Sequence, residues 1–237
     1  YEDCHVDVTY RGYKTSTETF TVTVQPSAAE LRVGLWAEQE KGSNKYVRVV
    51  DGSCEYDTQL KVTAAVYGTG ERLDTRRIAT FGADVQPTED YFVVLDEAGN
   101  EISARVARDP MEAQTDGSGR VCYPASLDLT QTLNAGEHTL TVKYVSGSGT
   151  NTGDAENELK VTITQKDISA NVGCEKIGED PTYTGEPLTV QFNVTDTAAG
   201  AQLVEGQDYE VVYEGNHTDA GTVKVLIQPK KGGNYTF

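Results

Sequence analysis

The chain has 237 residues, enough for one large domain or two modest ones. Its formal net charge of −17 makes the surface repel phosphate groups and anionic lipid, so we expect no nucleic-acid partner. No apolar run approaches the roughly 18 residues of a membrane span, and we expect no membrane insertion. No leader peptide is visible, and a strand-like pattern is already under way at the start, so we interpret the chain as a mature piece of a longer protein.

The first predicted element is an alternating hairpin, "HVDVTYRGYKTSTETFTVTVQ", at residues 5–25. Residues 138–165 repeat its order: a His, an alternating strand through Tyr, a polar loop, and a second alternating strand that ends in Gln. A repeated hairpin suggests a repeated domain. We therefore interpret residues 1–25 as the terminal hairpin of a preceding domain. The alternative is an extra hairpin of the domain that follows.

Residues 26–165 have room for a complete domain, and their apolar side chains alternate along several stretches. Leu60, Val62, Ala64 and Val66, for example, share one side of a predicted strand. Alternation with period 2 between turn residues is typical of antiparallel strands with one buried face, so we predict an all-β fold. The predicted strands lie near 31–37, 59–67, 91–96, 101–107, 119–129, 138–145 and 157–164.

Two segments between the first three strands, 37–57 and 68–90, are long for sandwich loops, and we expect them to be partly structured. Trp36 falls on the strand face opposite the neighbouring leucines, which favours an exposed position. A core position for Trp36 is the alternative. With Tyr46 and Tyr56 it could form an aromatic platform for sugars, and these three are the candidate ligand-binding residues.

The four cysteines, Cys4, Cys54, Cys122 and Cys174, are far apart and contain no C-x-x-C spacing. This argues against a zinc site or a redox motif. Cys54 and Cys122 are a candidate disulfide pair in an exported protein, free buried thiols are the alternative, and the sequence does not decide. Neither Gly-x-Ser-x-Gly nor His-Glu-x-x-His occurs, so we expect no metal, no cofactor and no enzyme activity.

The segment "EGQDYEVVYEGNHTDAGTVKVLI", residues 205–227, has the pattern of a strand, a polar turn and another strand. Asp208 is expected to accept backbone N–H bonds, and Tyr209 to bury its ring with the hydroxyl near water. Asn216 and Gly221 suit turn positions with positive φ. We interpret this spacing as a folding signal rather than a ligand site.

Three stretches of residues 26–165 resemble a bacterial Ig-like repeat domain. "FVVLDEAGNEI" (92–102) is similar to the central hairpin of such a domain, and "TDGSGRV" (115–121) to the next turn and strand. "LNAGEHTLTVKY" (133–144) is the most specific match. The two long insertions depart from the family pattern.

Residues 166–237 resemble the repeats of large Gram-positive surface proteins that are related to the MBG domains. The likeness runs through "YTGEPL" (183–188), "GQDYEVVY" (206–213), "DAGTVKVLI" (219–227) and "GGNY" (232–235). It covers nearly the whole unit, and it brings no catalytic residues with it.

Together the resemblances imply tandem Ig-like antiparallel β-sandwiches in a non-catalytic stalk or adhesion module. They imply an extracellular place at a Gram-positive cell surface or cell wall, with a host glycan or matrix protein as partner. Strand pairing with neighbouring modules is also expected, with residues 19–25 as a candidate donor to an open edge of the last unit. The alternative function is a carbohydrate-binding accessory module of a secreted carbohydrate-active enzyme, which would bind through Trp36, Tyr46 and Tyr56.

Overall fold

The computed structural model describes residues 8–10, 13–15, 28–68, 90–108, 114–147 and 153–237. All regular structure in these ranges is β-strand and no helix occurs among them, so the all-β prediction is confirmed. Most of the second insertion, 69–89, lies outside the described residues. The same holds for the candidate donor strand 19–25 and for Cys4.

Near the start, β1 (Val8–Tyr10) and β2 (Tyr13–Thr15) form an antiparallel hairpin. Its second strand lies where the sequence pattern predicts the polar loop, and the predicted second strand, at 19–25, lies outside the described residues. Its membership in a separate preceding domain, and its pairing with another module, stay predictions.

Two five-stranded sheets follow and face each other across one core. Sheet 1 has the order β4-β3-β6-β10-β9 and sheet 2 the order β5-β12-β11-β7-β8, and every pairing is antiparallel except β5 with β12. The strands are β3 (Ala29–Glu38), β4 (Tyr46–Arg48), β5 (Ser53–Glu55), β6 (Leu60–Gly68), β7 (Tyr91–Leu95), β8 (Val106–Ala107), β9 (Gln114–Thr115), β10 (Val121–Asp128), β11 (Gly136–Val145) and β12 (Ala155–Thr164).

The apolar side chains that were predicted to share one face of their strands form this core. Leu60, Val62, Ala64 and Val66 are all at most 4% exposed, and they meet the inner face of sheet 2. Full burial of one such Val or Leu side chain stabilises the fold by about 1.5–3 kcal/mol. The repeated pattern of small apolar side chains is therefore what holds the two sheets together.

The first insertion, 37–57, is partly structured, as predicted. It contributes β4 to the edge of sheet 1 and then β5 to the edge of sheet 2, so it closes one side of the sandwich. The predicted strand at 101–107 is shorter than expected. It contains only isolated bridges, including Leu95 with Glu101, before β8 begins at Val106.

All three described cysteines are free thiols, so the candidate Cys54–Cys122 disulfide is not formed in this structure. Cys54 lies in sheet 2 and packs against the core, whereas Cys122 faces away from the core beside Tyr67 in sheet 1. Sheet 1 therefore separates the two sulfur atoms. Burial raises the pKa of Cys54 to about 11, which keeps that thiol protonated and unreactive near neutral pH.

The last unit is built from three small sheets, β13 with β19, β14-β15-β16, and β17 with β18. Its core is smaller than that of the preceding sandwich and centres on Ile168, Val194, Leu203, Tyr209 and Tyr235. The strands are β13 (Lys166–Asp167), β14 (Val172–Ile177), β15 (Gln191–Asp196), β16 (Ala201–Gln202), β17 (Tyr209–Glu214), β18 (Lys224–Pro229) and β19 (Tyr235–Thr236).

The turn chemistry predicted for residues 205–227 is confirmed in part. Asp208 accepts the Val204 N–H at 2.9 Å, as a turn cap should. Tyr209 buries its ring, but its hydroxyl donates to the Phe192 carbonyl oxygen at 2.9 Å instead of lying near water. A buried hydroxyl needs a partner, and the neighbouring sheet supplies one.

The positive φ angles predicted at Asn216 and Gly221 are wrong. Among these turn residues it is Gly215 that adopts a positive φ, of 107°. Asn216 instead acts through its side chain, whose Oδ1 accepts the N–H groups of Thr218 and Asp219 at 2.8 and 3.2 Å. A side chain that imitates a backbone turn removes the need for the left-handed conformation.

A buried ion pair closes one end of the sandwich. Arg108 Nε donates to Asp90 Oδ2 at 2.7 Å, and both side chains are at most 3% exposed. Asp90 also accepts the Tyr144 hydroxyl at 2.7 Å and the Gly147 N–H at 3.0 Å, while the Arg108 guanidinium lies 4.5 Å from the Tyr123 ring centroid. The buried carboxylate therefore organises three chain segments.

We expect Arg108→Ala to lower the free energy of unfolding by about 3–5 kcal/mol, because it leaves the Asp90 charge buried without its cation. The matched control is Arg105→Ala, which breaks the exposed Arg105–Glu101 pair and should cost less than about 1 kcal/mol. Urea unfolding followed by Trp36 fluorescence measures both. Equal losses in the two variants would contradict a central role for the buried pair.

Candidate functional site

The structure places two of the three candidate ligand-binding aromatics on one face of sheet 1 and the third elsewhere. Trp36 and Tyr46 lie on the outer face of sheet 1, which points away from the core, as the alternation of β3 predicted for Trp36. The Trp36 indole N–H donates to Thr63 Oγ1 at 3.0 Å, and Lys61 Nζ lies 4.3 Å from the Tyr46 ring centroid. Both aromatic side chains are thus engaged within the sheet.

Gly34 explains how the indole comes to lie along the sheet. A Cβ added at Gly34 would lie 3.0 Å from Thr63 Oγ1 and 3.6 Å from Trp36 Nε1. The missing side chain leaves room for the indole to cover the strand, an arrangement that is known to compensate for glycine in sheets. Trp36 therefore has a structural role on this face.

Tyr56 lies elsewhere, where the sandwich meets the last unit. It packs against both hydrophobic cores, and its ring meets that of Tyr235 edge-on, with centroids 5.3 Å apart and planes at 75°. Burial raises the pKa of Tyr235 to about 12 and also raises the pKa of Tyr56, so both hydroxyls stay protonated at neutral pH. We call this contact region, which also includes Asp57, Lys166, Asp196 and Asn234, the junction.

A chain of ion pairs, in which lysines and aspartates alternate, crosses the junction. Lys41 Nζ lies 2.9 Å from Asp57 Oδ2, Lys166 Nζ lies 3.5 Å from the same oxygen, and Lys166 Nζ lies 2.7 Å from Asp196 Oδ2. Asp57 has a positive φ of 68°, a conformation that Asp tolerates better than most residues. One lysine of the last unit thus neutralises one carboxylate of each unit.

Asp196 is fully buried, and its charge is compensated from two sides. Its Oδ1 accepts the N–H groups of Ala198 and Ala199 at 3.0 and 3.1 Å, while Oδ2 contacts Lys166 as an ion pair without good hydrogen-bond alignment. Burial alone would raise the pKa of Asp196, but the contact with Lys166 and the two N–H groups hold it below the usual value. Burial would lower the pKa of Lys166, and the contacts with Asp196 and Asp57 overcome this and raise it.

Asn234 forms the second set of links across the junction, and it is only 3% exposed. Its Oδ1 accepts the Ala135 N–H of the sandwich at 2.8 Å. Its Nδ2 donates to Asn134 Oδ1 in the sandwich and to Asp208 Oδ1 in the last unit, both at 3.3 Å. One amide therefore joins loops of both units.

The chain between the units is itself held by hydrogen bonds. Gln165 is the single residue between β12 and β13, and its Nε2 donates to the carbonyl oxygens of Gly233 and Tyr235 at 2.8 and 3.2 Å. Tyr56 N–H donates to Thr164 O at 2.9 Å on the sandwich side. The linker has no free segment on which a hinge could form.

Comparisons with protein-family models, curated proteins and solved structures found no match for this chain. Among the described residues there is no helix of the length and apolar character required to cross a membrane. The properties of the junction therefore rest on its own geometry.

Sequence reasoning missed most of the junction. Lys166 lies at the predicted boundary and Tyr56 is a candidate for another role. Asn234 is noted only as part of the "GGNY" motif, and Asp196 is not singled out. The available signal was the "GGNY" motif at 232–235, whose Asn is followed by an aromatic residue that belongs to the core.

We expect Asn234→Ala to lower the free energy of unfolding by about 1–3 kcal/mol, because the Ala135 N–H loses its acceptor in a partly buried place. Gln228→Ala removes a comparable amide from an exposed position of the same unit and should change stability by less than about 0.5 kcal/mol. Urea unfolding followed by circular dichroism compares the two. If both variants behave alike, Asn234 does not bridge the units.

The ion pairs of the junction predict a pH window. A lowered pKa at Asp196 gives stability that is present above the ordinary Asp value of about 3.9 and is lost as the pH falls through the folded-state pKa. A raised pKa at Lys166 gives stability that is present below the ordinary Lys value of about 10.4 and is lost as the pH rises through the folded-state pKa.

We therefore expect Asp196→Asn to be less stable than the natural chain by about 1–3 kcal/mol at pH 7 and to approach it as the pH falls below about 4. Thermal unfolding between pH 2.5 and 8 measures the difference, with the exposed Glu158→Gln as the control for removing one negative charge. A difference that stays constant over this range would rule out the Asp196 charge as its source.

Proposed function

We propose that this chain is a non-catalytic stalk or adhesion module of a bacterial cell-surface protein, in which tandem Ig-like sandwiches space or present binding surfaces. The proposal places it outside the cell, at the surface or in the cell wall, with a host glycan or a matrix protein as partner. One observation carries the proposal: two β units are joined by a single-residue linker and by side chains that pack into both.

The contacts at the junction suit a module that keeps a fixed distance between the cell and a binding surface. A module that holds a binding surface away from the cell must keep its length, and therefore resist bending between its units. Tyr56 belongs to both cores, and Lys166 and Asn234 contact both units, so a bend would separate apolar, ionic and hydrogen-bonded groups together. Flexible connection is the default between domains with small contact areas, and these contacts oppose it.

The alternative function, a carbohydrate-binding accessory module that uses Trp36, has less support. A sugar platform needs free aromatic faces, but the Trp36 indole lies over Gly34 with its N–H directed to Thr63. Lys61 occupies one face of Tyr46, and Tyr56 faces Tyr235. The acidic charge of the chain fits a soluble extracellular spacer as well as it fits this alternative.

Residual dipolar couplings test the spacer proposal directly. We expect a single alignment tensor to fit the backbone amides of both units in the natural chain, because the junction makes them one body. Insertion of Gly-Ser-Gly-Ser between Gln165 and Lys166 should require two tensors, since a flexible linker uncouples the units. In the matched substitution Tyr56→Ala, a single tensor should fit the couplings less well than in the natural chain and better than in the insertion variant.

If the natural chain itself needs two tensors, the units move independently and the spacer proposal fails. Small-angle scattering on the same samples measures the distribution of chain dimensions independently. This distribution should be narrow in the natural chain, broad in the insertion variant and intermediate in Tyr56→Ala.

A further inference from the structure

A groove of about 420 Å³ opens at the end of the last unit that lies opposite the junction, and we call it the distal groove. β15 runs from this groove toward the junction, and β17 runs back toward it. One wall is formed by the end of β14 and the segment that follows it, residues 176–183, and the other is the β17–β18 turn, residues 215–223. This position leaves the groove clear of the preceding sandwich.

Hydrogen bonds from the segment that precedes β15 to β17 and its following turn fix the base of the groove. The Leu188 N–H donates to the His217 carbonyl oxygen at 3.0 Å, and the Tyr213 hydroxyl accepts the Val190 N–H at 2.7 Å. The apolar floor, which includes Val190 and Val225, remains only half-buried. A preformed site with an incompletely covered apolar floor has less ordering entropy to lose when a ligand binds.

Aromatic rings line this groove. Tyr183 is 58% exposed, a high value for a large ring, and it stands in the first wall. In the second wall His217 stacks on Tyr213, with ring centroids 4.7 Å apart and planes at 20°. Flat rings beside half-buried apolar groups match the C–H face of a pyranose, which is apolar although the sugar is hydrophilic.

Polar groups that suit hydroxyl recognition lie beside the rings. Asn216 Nδ2 donates to Asp219 Oδ2 at 2.7 Å, so the amide and the carboxylate hold each other in place. In the opposite wall Lys176 pairs with Asp180. Carboxylate and amide groups accept and donate in the planar geometry that adjacent hydroxyl groups require, and few but fixed polar groups are typical of ligand sites.

The charged side chains that line the groove disfavour anionic ligands. The groove is lined by the carboxylates of Asp180 and Asp219 and by one ammonium group, that of Lys176, which is already paired. The chain as a whole carries a net charge of −17. Sulfated or carboxylated glycans would be repelled, whereas a neutral oligosaccharide has no such cost.

We propose that the distal groove binds a neutral oligosaccharide, with one pyranose packed against Tyr183 and its hydroxyl groups bonded to Asn216 and Asp219. The inference deepens the proposed function, on which it rests for an extracellular setting, by naming the class of ligand that the spacer presents. The candidate aromatics of the first insertion take no part in this site, since Tyr56 is in the junction and Tyr46 is on sheet 1.

The test begins with the full chain on an array of neutral gluco-, galacto-, manno- and N-acetylglucosamine oligosaccharides, beside sulfated and sialylated ones. The best neutral probe is then titrated by calorimetry. We expect Tyr183→Ala to weaken binding about tenfold, through the lost stacking area, and Asp219→Ala to weaken it by a similar factor. Tyr183 is exposed, so its replacement should leave the melting temperature unchanged.

Trp36→Ala is the control, and it should bind as the natural chain does. Loss of binding in Trp36→Ala but not in Tyr183→Ala would overturn the proposal and place the site on sheet 1. Binding only to sulfated or sialylated probes, or to no glycan at all, would also overturn it. These outcomes are separate from the alignment-tensor result, so a rigid chain without sugar binding refutes the groove alone, and a flexible chain with sugar binding refutes the spacer alone.

Discussion

A single residue, Gln165, connects β12 to β13, and this short connection determines how the two units of the molecule contact each other. Thr164 on one side of Gln165 accepts a backbone hydrogen bond from the first insertion, and Lys166 on the other side donates one to Asn234. These two bonds fix Thr164 in the sandwich and Lys166 in the last unit, and the Gln165 side chain is itself bonded to the carbonyl oxygens of Gly233 and Tyr235, so one residue with a fixed side chain separates two anchored backbone positions. The two units are thus forced into contact, and side chains at this place must suit both of them.

An acidic chain makes this contact difficult, because carboxylates of two units are brought together. Asp57 and Asp196 approach from opposite sides, and Lys166 lies between them. The gain from such a pair depends on further compensation of the buried charge, which the backbone N–H groups at 198 and 199 supply. Removing the lysine alone would therefore be more harmful than removing all three charges together.

The sequence predicts most of the long strands of the sandwich, but it does not predict the short edge strands or the contacts between the units. The alternation at 60–66 predicts its own buried face because each strand residue reports its side of the sheet locally. The link between Asn234 and the sandwich joins residues 99 positions apart, and no local pattern announces it. Asn216 was misread because Asn can turn a chain with its backbone or with its side chain. The sequence predicts Tyr56 as a ligand-binding residue, since an aromatic residue in a loop has the same pattern whether it faces solvent or a second core.

The two ends of the last unit differ in how completely their apolar side chains are buried, because only one end packs against the sandwich. Every buried residue of its small core lies toward the junction, where Tyr56 from the sandwich completes the packing. Toward the opposite end the facing residues Leu188, Val190 and Val225 remain half-exposed, although hydrogen bonds to β17 and its turn fix their positions. A small domain that obtains part of its core from its neighbour can leave the other end open without losing its fold. The same junction that completes the core of the last unit thus leaves the far end accessible to the ligand proposed for the distal groove.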